Sequence, residues 1–155
     1  MTMPMLIRTA RESDVEPIRV LLSELGYELP PEKVADNLGR YHDLPGSAVL
    51  VGILEGTLVG MVSGHSIPLM HEEGDLGRIT SLVTSSGQRS RGIGSRLVTA
   101  MENRFREGGC VRVEVTSGER RGRAHAFYLA NEYESSGRRF VKRLQSARET
   151  DTEES

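Results

Sequence analysis

Apolar positions along the chain recur with a period near two in some stretches and near 3.6 in others, and the changes of period mark the elements. Met5 to Thr9 predicts a short strand. Ser13-Asp14-Val15-Glu16-Pro17 opens a helix, with Ser13 and Glu16 at capping-box spacing. Its apolar residues Ile18, Leu21, Leu22 and Leu25 fall at i, i+3, i+4 and i+7, and Gly26 stops it. Pro30-Pro31-Glu32 starts a second helix through Leu38 to about Tyr41, weakened by Asn37 and Gly39. Ser47 to Leu54 and Leu58 to Ile67 read as two strands joined by the tight turn Glu55-Gly56-Thr57. A loop from Pro68 to Gly74 leads to a further strand, Leu76 to Thr84. A polar, basic, glycine-rich stretch, Ser85 to Ser95, then feeds a helix whose stripe is Ile93, Leu97, Val98, Met101 and Phe105, ended by Gly108-Gly109. Cys110 to Thr116 is the next strand, and Arg121 to Asn131 a helix with Ala124, Phe127 and Tyr128 together. Tyr133 to Leu144 is a last extended segment. The order is β-α-α-β-β-β-α-β-α-β, a mixed α/β (α+β) chain without repeats.

Composition narrows the class. Of 155 residues 37% are hydrophobic and 27% charged, a balance that buries a core and excludes disordered, collagenous and fibrous chains. The length suits one domain, read here as residues 1–145. Residues 146–155 follow as an acidic tail expected to be disordered, with Glu149, Asp151, Glu153 and Glu154 against Arg148. A net charge of −2 argues against a nucleic-acid partner. The one cysteine, Cys110, excludes an internal disulfide and agrees with a reducing compartment. No apolar run approaches the roughly 20 residues of a membrane span, and the start lacks a basic segment followed by an apolar one. A cytoplasmic protein without a membrane partner is expected. The four histidines form no His-Glu-x-x-His pair and the cysteine has no second, so no metal site is expected.

The most informative segment is the strand Leu76–Thr84 followed by the glycine-rich turn and a helix. A helix start exposes main-chain N–H groups without intrahelical acceptors and the positive end of the macrodipole. Glycines let an anion approach them, and Arg89 and Arg91 add charge; the chemistry suggested is binding of a phosphorylated ligand. A mononucleotide loop requires a lysine that follows neither Gly92 nor Gly94, and a dinucleotide fingerprint requires glycine where Leu97 stands.

Gln88-Arg89-Ser90-Arg91-Gly92-Ile93-Gly94 fits the pattern Gln/Arg-x-x-Gly-x-Gly/Ala, and here the sequence resembles the GNAT superfamily of acyl-CoA-dependent N-acyltransferases. Ile7-Arg8 with Asp14, the strand Ile79-Thr80-Ser81-Leu82-Val83-Thr84, the run Ala124-His125-Ala126-Phe127-Tyr128 and the segment from Tyr133 to Lys142 fall in the family's order. The match covers residues 5 to about 144. The resemblance implies a mixed, mostly antiparallel sheet, flanked by helices and splayed open between the strand before the loop and the strand after the next helix. It implies acetyl-CoA as acyl donor, its pantetheine on the main chain of Leu82, Val83 and Thr84. The diphosphate would lie on the amides of Arg89, Ser90, Arg91, Gly92, Ile93, Gly94 and Ser95. Arg120, Arg121 and Arg123 form a further basic cluster; Arg121 is assigned to the CoA phosphates, since a guanidinium fork suits phosphate.

Within that resemblance Tyr128 is the candidate acid for the departing thiolate, a phenol of pKa about 10 being matched to a thiol of similar basicity. The base is less determined. Many relatives carry a carboxylate where this chain has Gly77, so Asp75, Glu73, His65 or a water chain are the candidates. Glu132 stands where many relatives place glycine. The reading is an N-acetyltransferase that lets a primary amine attack acetyl-CoA directly within a ternary complex. The alternative is a non-catalytic acyl-CoA-sensing or partner-binding domain, which the missing carboxylate supports and Tyr128 opposes. The acceptor is expected between the first two helices, the turn near Gly56 and the loop Pro68–Gly74, where Glu72, Glu73 and Asp75 attract a cation. A small-molecule amine and a protein lysine both stay open, as does a homodimer, which is common among relatives.

Overall fold

The computed structural model describes residues 4–88, 91–115, 122–137 and 139–145, with 122 and 123 by backbone alone. The chain divides into two compact units, Met1–Gly118 and Glu119–Ser155. The first holds β1 (Met5–Thr9), α1 (Val15–Glu24), α2 (Pro31–Asp43), β2 (Ser47–Leu54), β3 (Thr57–Pro68), β4 (Asp75–Thr84), α3 (Ile93–Glu107) and β5 (Cys110–Val115). The second holds α4 (Gly122–Ala130). Among the described residues no helix is long and apolar enough to cross a membrane.

Among the described residues five strands form one sheet in the order β1-β2-β3-β4-β5. The first three pairings are antiparallel, and β4 pairs with β5 in parallel. A parallel neighbour requires a crossover, and α3 supplies it. The β2–β3 connection is a two-residue hairpin in which Glu55 (φ 49°) and Gly56 (φ 79°) both take positive φ, the twist that suits the flanking strands.

Side chains alternate between the two faces of a strand, and here each face carries its own packing. On one, Val49, Val51, Met61 and Val83 meet Ile18 and Leu21 of α1 and Val34 of α2, with Leu38 and Tyr41 packed against them. That stripe carries α2 through Asn37 and Gly39 as far as Asp43, and Pro31 suits its first turn, where no intrahelical donor is needed. On the other face the sheet offers glycines. A Cβ at Gly60 would stand 2.8 Å from Leu97, one at Gly64 2.7 Å from Phe105, and one at Gly77 2.5 Å from Phe105. This bare floor seats α3, whose Leu97, Val98 and Met101 are fully buried. Each such side chain contributes about 1.5–3 kcal/mol.

Two local expectations are corrected. The helix start is not organised by Ser13 and Glu16. A short 3-10 turn, Glu12–Asp14, precedes α1, and the Asp14 carboxylate accepts the Arg11 N–H at 2.7 Å and a two-pronged Arg8 contact at 2.7 and 3.0 Å. Glu16 pairs with Arg19 instead. The second concerns Tyr133 to Leu144, where the described residues carry no strand. In the same unit α4 ends with Tyr133 N–H bonded to the Tyr128 carbonyl (3.0 Å) and Glu132 N–H to that of Leu129 (3.1 Å). Glu132 takes φ 70°, the left-handed cap that glycine usually fills. Thr116 and the tail 146–155 lie outside the described residues.

Candidate active site

The site begins on the second half of β4. Its ladder with β3 runs to Gly60↔Thr84, and its ladder with β5 is described as far as Ile79↔Val115, the last described residue of β5. Among the described residues, Thr80 to Thr84 therefore keep one strand edge without a strand partner. The stretch opens at a β-bulge: Ser63 faces Ser81 and Gly64 faces Ile79, so Thr80 is the extra residue. A bulge bends its strand and takes its own main chain out of the ladder. Leu82, Val83 and Thr84 lie along this stretch.

The strand then delivers the chain to a helix start. Ser85 N–H bonds the Val59 carbonyl at 2.8 Å, and Ser86 N–H bonds Glu24 Oε1 at 3.0 Å, tying the turn to α1. Gly92 takes φ 76° as the residue before α3, a conformation open to glycine at little steric cost. The first intrahelical bond runs from Arg96 N–H to the Gly92 carbonyl at 3.1 Å. The N–H groups of Ile93, Gly94 and Ser95 therefore have no acceptor within their own helix. Arg91 flanks them; Arg89, Ser90 and Arg121 lie outside the described residues.

On the face occupied by α1 and α2, four polar residues form a row across four strands. Ser47 of β2 is in register with His65 of β3, His65 with Arg78 of β4, and Arg78 with Glu114 of β5. Ser47 Oγ lies 2.6 Å from His65 Nδ1. The Tyr41 ring of α2 stacks on the imidazole, with centroids 4.6 Å apart and planes at 24°. Its hydroxyl meets Oγ1 of the bulged Thr80 at 2.8 Å, and Thr80 meets the buried Ser63 at 2.8 Å, which in turn touches Ser81. Arg78 donates to Glu114 at 2.9 Å. Arg112 joins Glu114 to Glu72 of the β3–β4 loop. Burial holds the His65 pKa below its ordinary value, so the ring is neutral at pH 7.

The structure brings His65 into the neighbourhood of the bulge and leaves the other candidate bases apart. Asp75 opens β4, in hydrogen-bond contact with Ser66 at 3.3 Å. Five residues separate it from Thr80, roughly 16 Å at strand rise. Glu73 is exposed in the loop. Gly77 faces α3: a Cβ there would stand 2.5 Å from the Phe105 ring, on the side of the sheet away from His65. Tyr128 lies in α4 of the second unit, in edge contact with Phe127 at 5.1 Å and Tyr133 at 5.7 Å between centroids.

Tyr41, Ser47, Ser63, Thr80, Arg78 and Glu114 were not anticipated. One signal was present in β3: Val59, Met61, Ser63 and His65 share a face by period two, and the inward positions turn polar halfway along. Polar side chains at inward positions of a buried strand call for partners.

The sequence model of the Acetyltransferase (GNAT) family matches residues 15–132. An aminoalkylphosphonate N-acetyltransferase of Salmonella typhimurium strain LT2 is 30% identical over 139 residues, covering 89% of this chain and 90% of that one. The solved aminoglycoside N-acetyltransferase AAC(6′)-Iy in complex with CoA superposes with a TM-score of 0.82 at 15% identity, over 92% of this chain and 96% of that one. A transcriptional regulator from Bacillus halodurans C-125 superposes with the same score at 23% identity, over 91% and 100%. The chain belongs to the GNAT family of acetyltransferases.

Proposed function

We propose that this acetyltransferase moves an acetyl group from acetyl-CoA to a primary amine of a small molecule, by direct attack in a ternary complex. The observation that carries the reading is the course of β4: it bulges at Thr80 and runs on to the turn at the start of α3. Its edge at Thr80 to Thr84 offers main-chain donors and acceptors at the spacing an amide-bearing pantetheine arm can match as a pseudo-strand. The N–H groups of Gly92 to Ser95 suit the diphosphate and Arg91 flanks them; Arg89, Ser90 and Arg121, outside the described residues, are assigned to the same ligand from the sequence alone. Thr80, without a register partner in β3, is the position proposed to offer its main chain to the thioester carbonyl.

His65 is the base in this reading. It is neutral, it faces the bulge side of the sheet, and its polar partner is a hydroxyl that leaves it free to gain charge. The ammonium gives one proton to Nε2, the nitrogen lone pair bonds the carbonyl carbon, and the C–S bond breaks. Tyr128 gives its phenolic proton to sulfur and recovers one from the new amide nitrogen. The sensor alternative rests on the missing carboxylate; Gly77 faces Phe105 of α3, which supports looking for the base elsewhere, at His65. An aminoalkylphosphonate acceptor for a relative 30% identical along nearly its whole length supports a compact acceptor over a protein lysine.

The test is thiol release from acetyl-CoA with a panel of aminoalkylphosphonates, aminoglycosides and simple amines. At least one small amine is expected to turn over. Tyr128→Phe should slow it by roughly 10²–10⁴-fold, the scale of general acid catalysis, with acetyl-CoA binding retained. Binding without release on any amine would overturn the enzymatic reading, and full activity in Tyr128→Phe would remove that residue from it.

A further inference from the structure

We infer that Ser47 and Tyr41 are positioning residues for His65: Ser47 Oγ accepts the Nδ1–H and leaves the Nε2 lone pair for the amine, while Tyr41 fixes the ring against the sheet. The inference rests on His65 as the base and adds what makes it one. A neutral imidazole has two tautomers, and which nitrogen keeps its proton is set by the bond the other makes. With Nδ1 2.6 Å from Ser47 Oγ, the tautomer that donates to the serine is the competent one; the other carries its proton on Nε2 and cannot accept a second there. Ser47 is held in place because it is a register partner of His65 on the adjacent strand. Tyr41 closes the other side. Its ring stacks on the imidazole and its hydroxyl is anchored 2.8 Å away on Thr80. Thr80 is anchored in turn by Ser63, which is 4% exposed. One side chain thus links the base to the bulge in β4. The groups around the imidazole are Tyr41 from α2, Ser47 from β2 and, in register on β4, Arg78, whose charge is engaged by Glu114. When the ring gains its proton, Nδ1–H keeps its acceptor, so the serine stabilises the imidazolium as well.

The experiment measures kcat, KM and the pH dependence of kcat/KM for the wild type, Ser47→Ala, Ser47→Thr, Tyr41→Phe and His65→Gln, using acetyl-CoA and the most active amine of the panel. Ser47→Ala is expected to lower kcat roughly tenfold, the scale of one lost hydrogen bond, with KM for acetyl-CoA unchanged. Its acid limb should move to lower pH, because the imidazolium loses its acceptor. Ser47→Thr, which keeps a hydroxyl, should restore both. Tyr41→Phe keeps the stack and loses the Thr80 anchor, so its kcat should fall by a smaller factor. A slow His65→Gln beside a Ser47→Ala with wild-type kcat and acid limb would overturn the positioning role and leave the base in place. A His65→Gln as fast as the wild type would remove the base itself, and this inference with it.

Discussion

Asp14 sits where two guanidinium N–H groups of Arg8 and the main-chain N–H of Arg11 converge. Its side chain is 8% exposed. The Arg8 hydrogen bonds hold the carboxyl pKa below its ordinary value; burial opposes them, and the Arg11 N–H adds to the lowering. A carboxylate whose folded pKa is depressed contributes stability that is fully present above its unfolded value, near 4, and is lost as pH falls through the folded value. Asp14→Ala should therefore cost about 2–3 kcal/mol at pH 7, and the gap to the wild type should close as denaturant melts are repeated below pH 4. A gap unchanged between pH 7 and pH 3 would mean that the charge does not matter. Ile7-Arg8 and Asp14 were legible as family landmarks. Their direct contact was not, because it depends on the 3-10 turn that brings Asp14 back onto the end of β1.

At the scale of elements, the seat of α3 is the least ordinary feature. Two strands, β3 and β4, present glycine to it, and the ring of Phe105 fills the space over Gly77. Gly77→Ala should overpack this contact and lower stability by about 1–3 kcal/mol. Gly77→Ala combined with Phe105→Leu should cost less than the two single changes added together, which thermal melts of the four proteins would reveal as coupling. Strict additivity would show that the residues do not meet. The strands and helices themselves were readable, since period two and period 3.6 are properties of each segment alone. The bulge at Thr80 was not. It arises from how β3 and β4 align, with Ser63 on Ser81 and Gly64 on Ile79, and no single strand carries that information. For the same reason His65 could be named from sequence as one candidate among several, while its row with Ser47, Arg78 and Glu114 needed the register of three ladders. Gly77 reads in the sequence as a missing carboxylate; in the sheet it is a position where any side chain crowds the Phe105 ring.

For the whole molecule, charge, length and cysteine content defined the class, and the order of elements defined the fold. The glycine-rich turn pointed to a phosphorylated ligand, and the first unit gives that reading a physical form: a strand edge that has no strand partner among the described residues, then a helix start whose first N–H groups have no acceptor in the helix. The account depends on those main-chain hydrogens being what acyl-CoA holds. Amide hydrogen exchange followed residue by residue, with and without saturating CoA, tests this most directly. Slowed exchange at one or more of Leu82 to Thr84 and at Gly92 to Ser95, with β1 and β2 unaffected, is the predicted result. CoA binding that leaves both segments exchanging at their free rates would contradict it.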